Sequence, residues 1–189
     1  MRLYVITVRR WWAAFSAIMA LVGVCWSLGA TEVPVPSFIG GMTGVRLEYF
    51  TPLFVVIATL YCLERRLTHA ESAAVVGITR LNLGAVLLVV VGAHVAGLIV
   101  GMDIARNVTL LLSLAILIRS LVNEAAAATA GLMCLIVSLM LGRTYQPDGE
   151  AGYAWWALPL YPADSLAAWL AAAAFLIIVT GLGLAGRSR

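Results

Sequence analysis

The stretch "LNLGAVLLVVVGAHVAGLIVGM", Leu81 to Met102, decides the fold class. It carries no Asp, Glu, Lys or Arg, and roughly 17 to 25 such residues in a helix cross the ~30 Å hydrocarbon core of a bilayer. Gly92, Ala93, Ala96, Gly97 and Gly101 are small enough to let neighbouring helix backbones approach closely, as packing within lipid favours. The stretch therefore reads as a membrane-spanning helix. His94 is its one titratable group. Ionisable side chains at that depth are costly and face a bundle interior or a wet cavity. His94 is either a cavity-lining, proton-sensitive contact or the partner of a hydroxyl on another helix, such as Thr109 or Ser138.

Working outward, the same criterion finds six candidate spans. The first runs from Trp11 to Gly29 behind Arg2, Arg9 and Arg10, and its apolar core is longer than the usual signal-peptide core. It reads as an uncleaved helix. The second covers about Leu47 to Leu63, and the third is the opening stretch. A break at "DIAR", Asp103 to Arg106, turns the chain into the fourth, Asn107 to about Val122, with Asp103 and Arg106 expected to pair across that turn. The fifth is Glu124 to Gly142 and the sixth Ser165 to Gly186. The fold class is all-α, a polytopic membrane domain over the whole of residues 1–189.

Composition agrees: 63% of residues are hydrophobic and 11% charged, with a mean hydropathy of +1.02. Soluble domains carry about a quarter charged residues. All 12 basic residues are arginine, so the chain has no lysine for a P-loop and is not itself a Walker-type ATPase. The net charge of +3 follows from membrane topology rather than from binding nucleic acid. With the N-terminus inside, Arg2, Arg9, Arg10, Arg65, Arg66, Arg80, Arg119, Arg187 and Arg189 are cytoplasmic, and only Arg46, Arg106 and Arg143 lie outside. Both termini are then cytoplasmic. The lysine-free, Ala- and Arg-rich usage points to a high-GC bacterial genome, hence a multi-pass protein of the inner (plasma) membrane. Cys25, Cys62 and Cys134 lie in apolar runs without metal or redox spacing and act as small hydrophobes.

Two outer connections are long. Ala30 to Arg46 holds Pro34, Pro36 and the Gly40-Gly41 pair, which favour extended or turning backbone. Residues 143–164 begin polar and end aromatic. Tyr153, Trp155, Trp156 and Tyr161 suit the headgroup boundary as an interfacial anchor, or cover a substrate as a lid. A short helix or re-entrant dip before Pro159 and Pro162 fits either role.

The inner connection after the second span, residues 64–80, is a charged island carrying Glu64, Arg65, Arg66, His69, Glu71 and Arg80. From Glu64, the apolar or small Leu67, Ala70, Ala74 and Ile78 fall at helical spacings while the charges populate other faces. A loop that only reconnects two spans needs two to eight residues. The segment is either a positive-inside loop that only fixes topology or an ordered amphipathic helix, which suggests a partner surface. Arg119 and Glu124 lie near the same inner boundary, where Arg119 is expected to reach out to water.

This layout, with the basic pre-helix "RLYVITVRRWW" and "LERRLTHAESAAVVGITRLNLGAVLL" after the second span, resembles the membrane subunits of ABC-2 type exporters. The likeness covers nearly the whole chain as a layout and Glu64 to Leu88 in residues. It implies an N-terminal interfacial helix, a membrane-dipping segment "GYAWWALPLYPAD" before the sixth span, and a cytoplasmic coupling helix that docks into a separate ATPase. On that resemblance Glu64, Arg65, Arg66, His69, Glu71 and Arg80 contact the ATP-binding subunit, and Arg119 with Glu124 forms a smaller second contact. ATP and Mg would reside on that partner, with no cofactor on this chain. The permease would pair with a second permease chain, the same or similar, and export an amphipathic or hydrophobic substrate.

Two other readings fit the length. Six spans and the small-residue stretch "AFSA", Ala14 to Ala17, also resemble the substrate-binding S components of energy-coupling-factor uptake systems, and a scaffold subunit of a membrane complex needs no further motif. Catalysis is disfavoured. No HExxH, GxSxG or paired-aspartate motif occurs and there are 2 histidines, so metal and nucleophilic chemistry lack their parts.

Overall fold

A computed structural model describes residues 10–37, 41–64, 78–145 and 151–185. Six α-helices dominate: α1 (Trp12–Leu28), α2 (Thr51–Glu64), α3 (Ile78–Val100), α4 (Met102–Leu121), α5 (Glu124–Leu141) and α6 (Leu166–Ala185). By length and composition four are able to cross a membrane, namely α2 with its 3-10 lead-in Leu47–Phe50, α3, α4 and α5; α1 and the described part of α6 are shorter apolar helices. The expected N-terminal interfacial helix and most of the expected coupling helix lie outside the described residues.

Each helix shows which face it buries. On α1, Ala14, Ile18 and Leu21 are buried while Trp12, Phe15, Met19 and Trp26 point outward. On α3, Val86, Val89, Val90, Ala93 and Ala96 face inward, and Leu88, Val91, Val95, Leu98 and Ile99 face out. Leu98 is 75% exposed and Trp26 79%. A water-soluble monomer rarely exposes apolar surface on this scale, whereas lipid solvates it, so the outer surface fits a membrane-embedded bundle.

The helix at the centre is α4, which packs against α2, α3, α5 and α6. It is buried on all sides from Ile104 to Ser113. This corrects the expected boundaries. "DIAR" is not a break but the first turn of α4, where Asp103 suits the positive end of the helix dipole. The reversal is made at Gly101, with φ 136°. Gly101 donates its N–H to the Gly97 carbonyl oxygen at 2.9 Å. A Cβ on Gly97 would fall 2.6 Å from the Cβ of Ala105, so the small residues of α3 do permit the close approach that the sequence implies. An L side chain at Gly101 would be strained and would also crowd Asp103 Oδ1. Gly101→Ala is expected to cost about 1–3 kcal/mol, read as a lowered melting temperature of the detergent-solubilised protein.

The two long connections sit at one end of the bundle, called here the hairpin end. Antiparallel strands β1 (Glu32–Ser37) and β2 (Gly41–Arg46) pair from Glu32 with Arg46 to Ser37 with Gly41. A shorter hairpin joins β3 (Arg143–Tyr145) to β4 (Ala151–Tyr153). Arg143 Nη2 donates to the Gly44 carbonyl oxygen at 3.3 Å and links the two hairpins. The all-α class therefore acquires two small β elements outside the helical layer. The element expected before Pro159 and Pro162 is one 3-10 turn, Leu158–Leu160.

Candidate functional site

At the opposite end, where α2 stops and the charged island starts, Arg119 near the end of α4 holds three helices together. Its Nε donates to Glu124 Oε1 at 3.0 Å, and its Nη2 donates to the Leu63 carbonyl oxygen at 3.0 Å. The last carbonyls of a helix have no intrahelical donor, and a cation is favoured at that end by the dipole. Arg119 thus caps α2 while bound to the first residue of α5. Asn123 fixes that residue by accepting from the Ala126 N–H at 2.8 Å as the N-cap of α5. Arg10 adds a second tie to α2: its Nη1 donates to the Tyr61 hydroxyl at 3.3 Å, and its carbonyl oxygen accepts from the Cys62 thiol at 3.3 Å.

The sequence placed Arg119 reaching out to water, and this is corrected. Its side chain is 13% exposed, against 34% for Glu124, because the end of α2 offers an acceptor that hydropathy does not reveal. Glu64 is exposed at the same end and shares with Glu124, Tyr61 and Leu60 a groove of about 300 Å³. The structure therefore gathers Glu64, Arg119 and Glu124. Arg65, Arg66, His69 and Glu71 lie outside the described residues, and Arg80 is placed only as part of the α3 backbone.

No protein-family model, curated protein or solved structure matches the chain.

A second polar cluster, which the sequence reading missed, lies at the hairpin end. Arg106 is almost fully buried, and it does not form the expected ion pair with Asp103. Its Nη1 donates to the Pro162 carbonyl oxygen at 2.8 Å, and its Nη2 donates to the Tyr161 carbonyl oxygen at 2.6 Å and to Asn107 Oδ1 at 3.4 Å. Asn107 Nδ2 donates to the Pro159 carbonyl oxygen at 2.9 Å. Two adjacent side chains of the central helix so fasten the segment that precedes α6. Proline-rich backbone exposes carbonyls without matching N–H groups, and these donors meet that excess. The adjacent pair "RN" inside an apolar helix was the available signal. Of the aromatic residues, the Tyr153 and Tyr161 rings lie 5.8 Å apart. Trp155 stands 83% exposed, and Trp156 covers an apolar cleft of about 190 Å³ floored by Leu110 and Leu114.

His94 meets neither hydroxyl expected of it. Nδ1 lies 2.8 Å from the Val90 carbonyl oxygen, one turn back on the same helix, while Thr109 bonds a carbonyl of α4 itself and Ser138 is hydrogen-bonded to Cys134. The imidazole instead packs on Trp169 of α6, with ring centroids 5.6 Å apart, and Trp169 Nε1 donates to the Ala163 carbonyl oxygen at 2.8 Å. The contact bridges α3 and α6, which touch little elsewhere. Aromatic pairs contribute about 0.5–1.5 kcal/mol beyond area. His94→Phe should therefore melt within a few degrees of wild type and His94→Ala distinctly lower. If His94 also contacts a transported molecule, both variants change substrate handling at matched folded levels.

Proposed function

We propose that this chain is the membrane-spanning permease subunit of an ATP-driven, ABC-2-like exporter of amphipathic or hydrophobic molecules. In this reading all six helices span the inner membrane with both termini cytoplasmic. The chain pairs with a second permease chain and is driven by a separate cytoplasmic subunit that binds ATP and Mg. The observation that carries the proposal is the Arg119 junction. The charged island is continuous with the end of α2, and that end is tied by Arg119 to the central helix α4 and, through Glu124, to α5. A force applied to the island reaches α4, on which α3 and α6 also pack. A connection that only fixed topology would need no such tie.

The uptake reading is less well supported. Of its small-residue stretch, Ala14 is fully buried by the chain's own helices and Phe15 and Ser16 are exposed, and that reading gives the charged island no role. The scaffold reading accounts for neither the island's mixed charge nor its attachment.

The test uses the chain coexpressed with the Walker A-bearing soluble subunit that this reading requires, sought first in the neighbouring coding sequence. A topology-setting loop needs positive charge and tolerates loss of acids, whereas truncating one member of a desolvated interfacial charge pair costs about 2–5 kcal/mol. Glu64→Gln combined with Glu71→Gln is expected to leave membrane insertion intact, to reduce co-purification of the ATPase about tenfold or more, and to lower substrate-stimulated ATP hydrolysis. Equal recovery with equal hydrolysis would sink the coupling role.

A further inference from the structure

Beside the Arg119 junction, a cleft of about 230 Å³ opens between α3, α4 and α6 with the end of α2 at its side. Its lining is graded along the helix axes. The polar lining residues Asn82, Arg119, Ser120 and Thr180 all lie toward the end of the bundle, beside the apolar Leu63, Leu83 and Val179, and one turn deeper the lining is Val86, Ile116 and Leu176 alone. Because α3 starts at this end while α4 and α6 finish at it, the steps from 82 to 86, 119 to 116 and 180 to 176 all run toward the bilayer centre. At 1.5 Å per residue the polar and apolar levels are about 4.5–6 Å apart. A headgroup and the start of an alkyl chain are separated on that scale.

Charge decides what kind of headgroup fits. Arg119 spends Nε on Glu124 and Nη2 on the Leu63 carbonyl oxygen, and among the described residues Nη1 donates to no protein acceptor. Among the described residues no Asp or Glu lines this cleft. Glu124 faces a different groove, on the α2 and α5 side, together with Glu64. The guanidinium thus acts as a partition, bound to a carboxylate on one side and facing the cleft on the other. A basic group between membrane helices at the interface, above an apolar floor, is suited to an anionic lipid-like molecule.

We propose that this cleft binds an anionic amphiphile, its headgroup on Arg119 at the rim and its alkyl chain along Val86, Ile116 and Leu176. The site requires only that the chain sits in a membrane, so it stands or falls separately from coupling to an ATPase.

The experiment titrates the purified full-length chain in neutral maltoside micelles, with occupancy followed by native mass spectrometry. Dodecyl phosphate and dodecylphosphocholine share a chain length and differ in net headgroup charge, and one charge-assisted hydrogen bond should separate their affinities by about tenfold or more. Arg119→Gln should abolish that preference. Thr180→Trp, which fills the rim and leaves the Arg119 bonds in place, should abolish binding in a protein that melts like wild type. Dioleoylphosphatidylglycerol and dioleoylphosphatidylcholine form the second pair. Tighter binding of the phosphatidylglycerol assigns the cleft to a bilayer lipid and tighter binding of dodecyl phosphate to a diffusible amphiphile, either of which supports the site. Equal affinity for dodecyl phosphate and dodecylphosphocholine, or undiminished dodecyl phosphate binding by folded Thr180→Trp, overturns it.

Discussion

Arg106→Met is expected to produce the largest loss of stability of any single substitution at the hairpin end. Methionine retains much of the aliphatic length and volume, so the change isolates the guanidinium. Two carbonyl oxygens, of Tyr161 and Pro162, lose donors at 2.6 and 2.8 Å. Hydrogen bonds to a charged group contribute about 1.5–3 kcal/mol each, which puts the loss at about 3–6 kcal/mol. Because the acceptors belong to the segment before α6, the damage should be directional. Proteolytic cleavage within residues 151–164 should accelerate before the helices melt. Asn107→Leu removes the neutral bond to the Pro159 carbonyl oxygen and the long 3.4 Å acceptor of Arg106 Nη2, while Arg106 keeps both carbonyl partners, and its effect should be smaller. An Arg106→Met protein that melts like wild type and resists cleavage in that segment would show that the hairpin end is held by its apolar contacts alone.

The same residue shows what a single sequence reveals and what it hides. Helices with one outward apolar face are legible nearly to the residue: Trp11 to Gly29 is Trp12–Leu28, and Glu124 to Gly142 is Glu124–Leu141. Lipid demands apolar side chains, and hydropathy measures that demand. The central helix α4 has protein on all sides, so it is free to carry Asp103, Arg106, Asn107, Thr109 and Ser113, each in a favourable position or hydrogen-bonded within the bundle. Hydropathy therefore shortened it by a turn and read its first turn as a loop. The true reversal needs only Gly101 at positive φ, a single letter with no polar flag. Partners distant in sequence were hidden for a different reason. Arg106 meets carbonyls 55 and 56 residues away, and Arg119 meets one 56 residues back. Backbone acceptors have no residue type, so no pattern announces them. Of the candidate site, the sequence placed Glu64, Arg119 and Glu124 near one end of the bundle, but not the capping of α2 that joins them.

That capping makes the two members of the Arg119–Glu124 pair unequal, and substituting each in turn should expose the inequality. Glu124 keeps about a third of its side chain in solvent, so its ion pair is screened and contributes no more than about 1 kcal/mol. Glu124→Gln retains an amide oxygen able to accept from Arg119 Nε and should lower the melting temperature slightly. Arg119→Gln loses the bond to Glu124 and also the donor to the Leu63 carbonyl oxygen, worth about 1.5–3 kcal/mol as a charge-assisted bond at a helix end. The larger loss should appear as fraying of the last turn of α2, measurable by faster hydrogen exchange at residues 60–64. If α2 carries movement from the island to α4, Arg119→Gln should also lower substrate-stimulated ATP hydrolysis while the ATPase remains bound, which separates transmission from docking. Glu64→Gln with Glu71→Gln should do the reverse and weaken docking first. An Arg119→Gln chain that frays at α2 yet drives full hydrolysis would reduce the junction to a structural cap and leave transmission to the direct packing of α2 on α4.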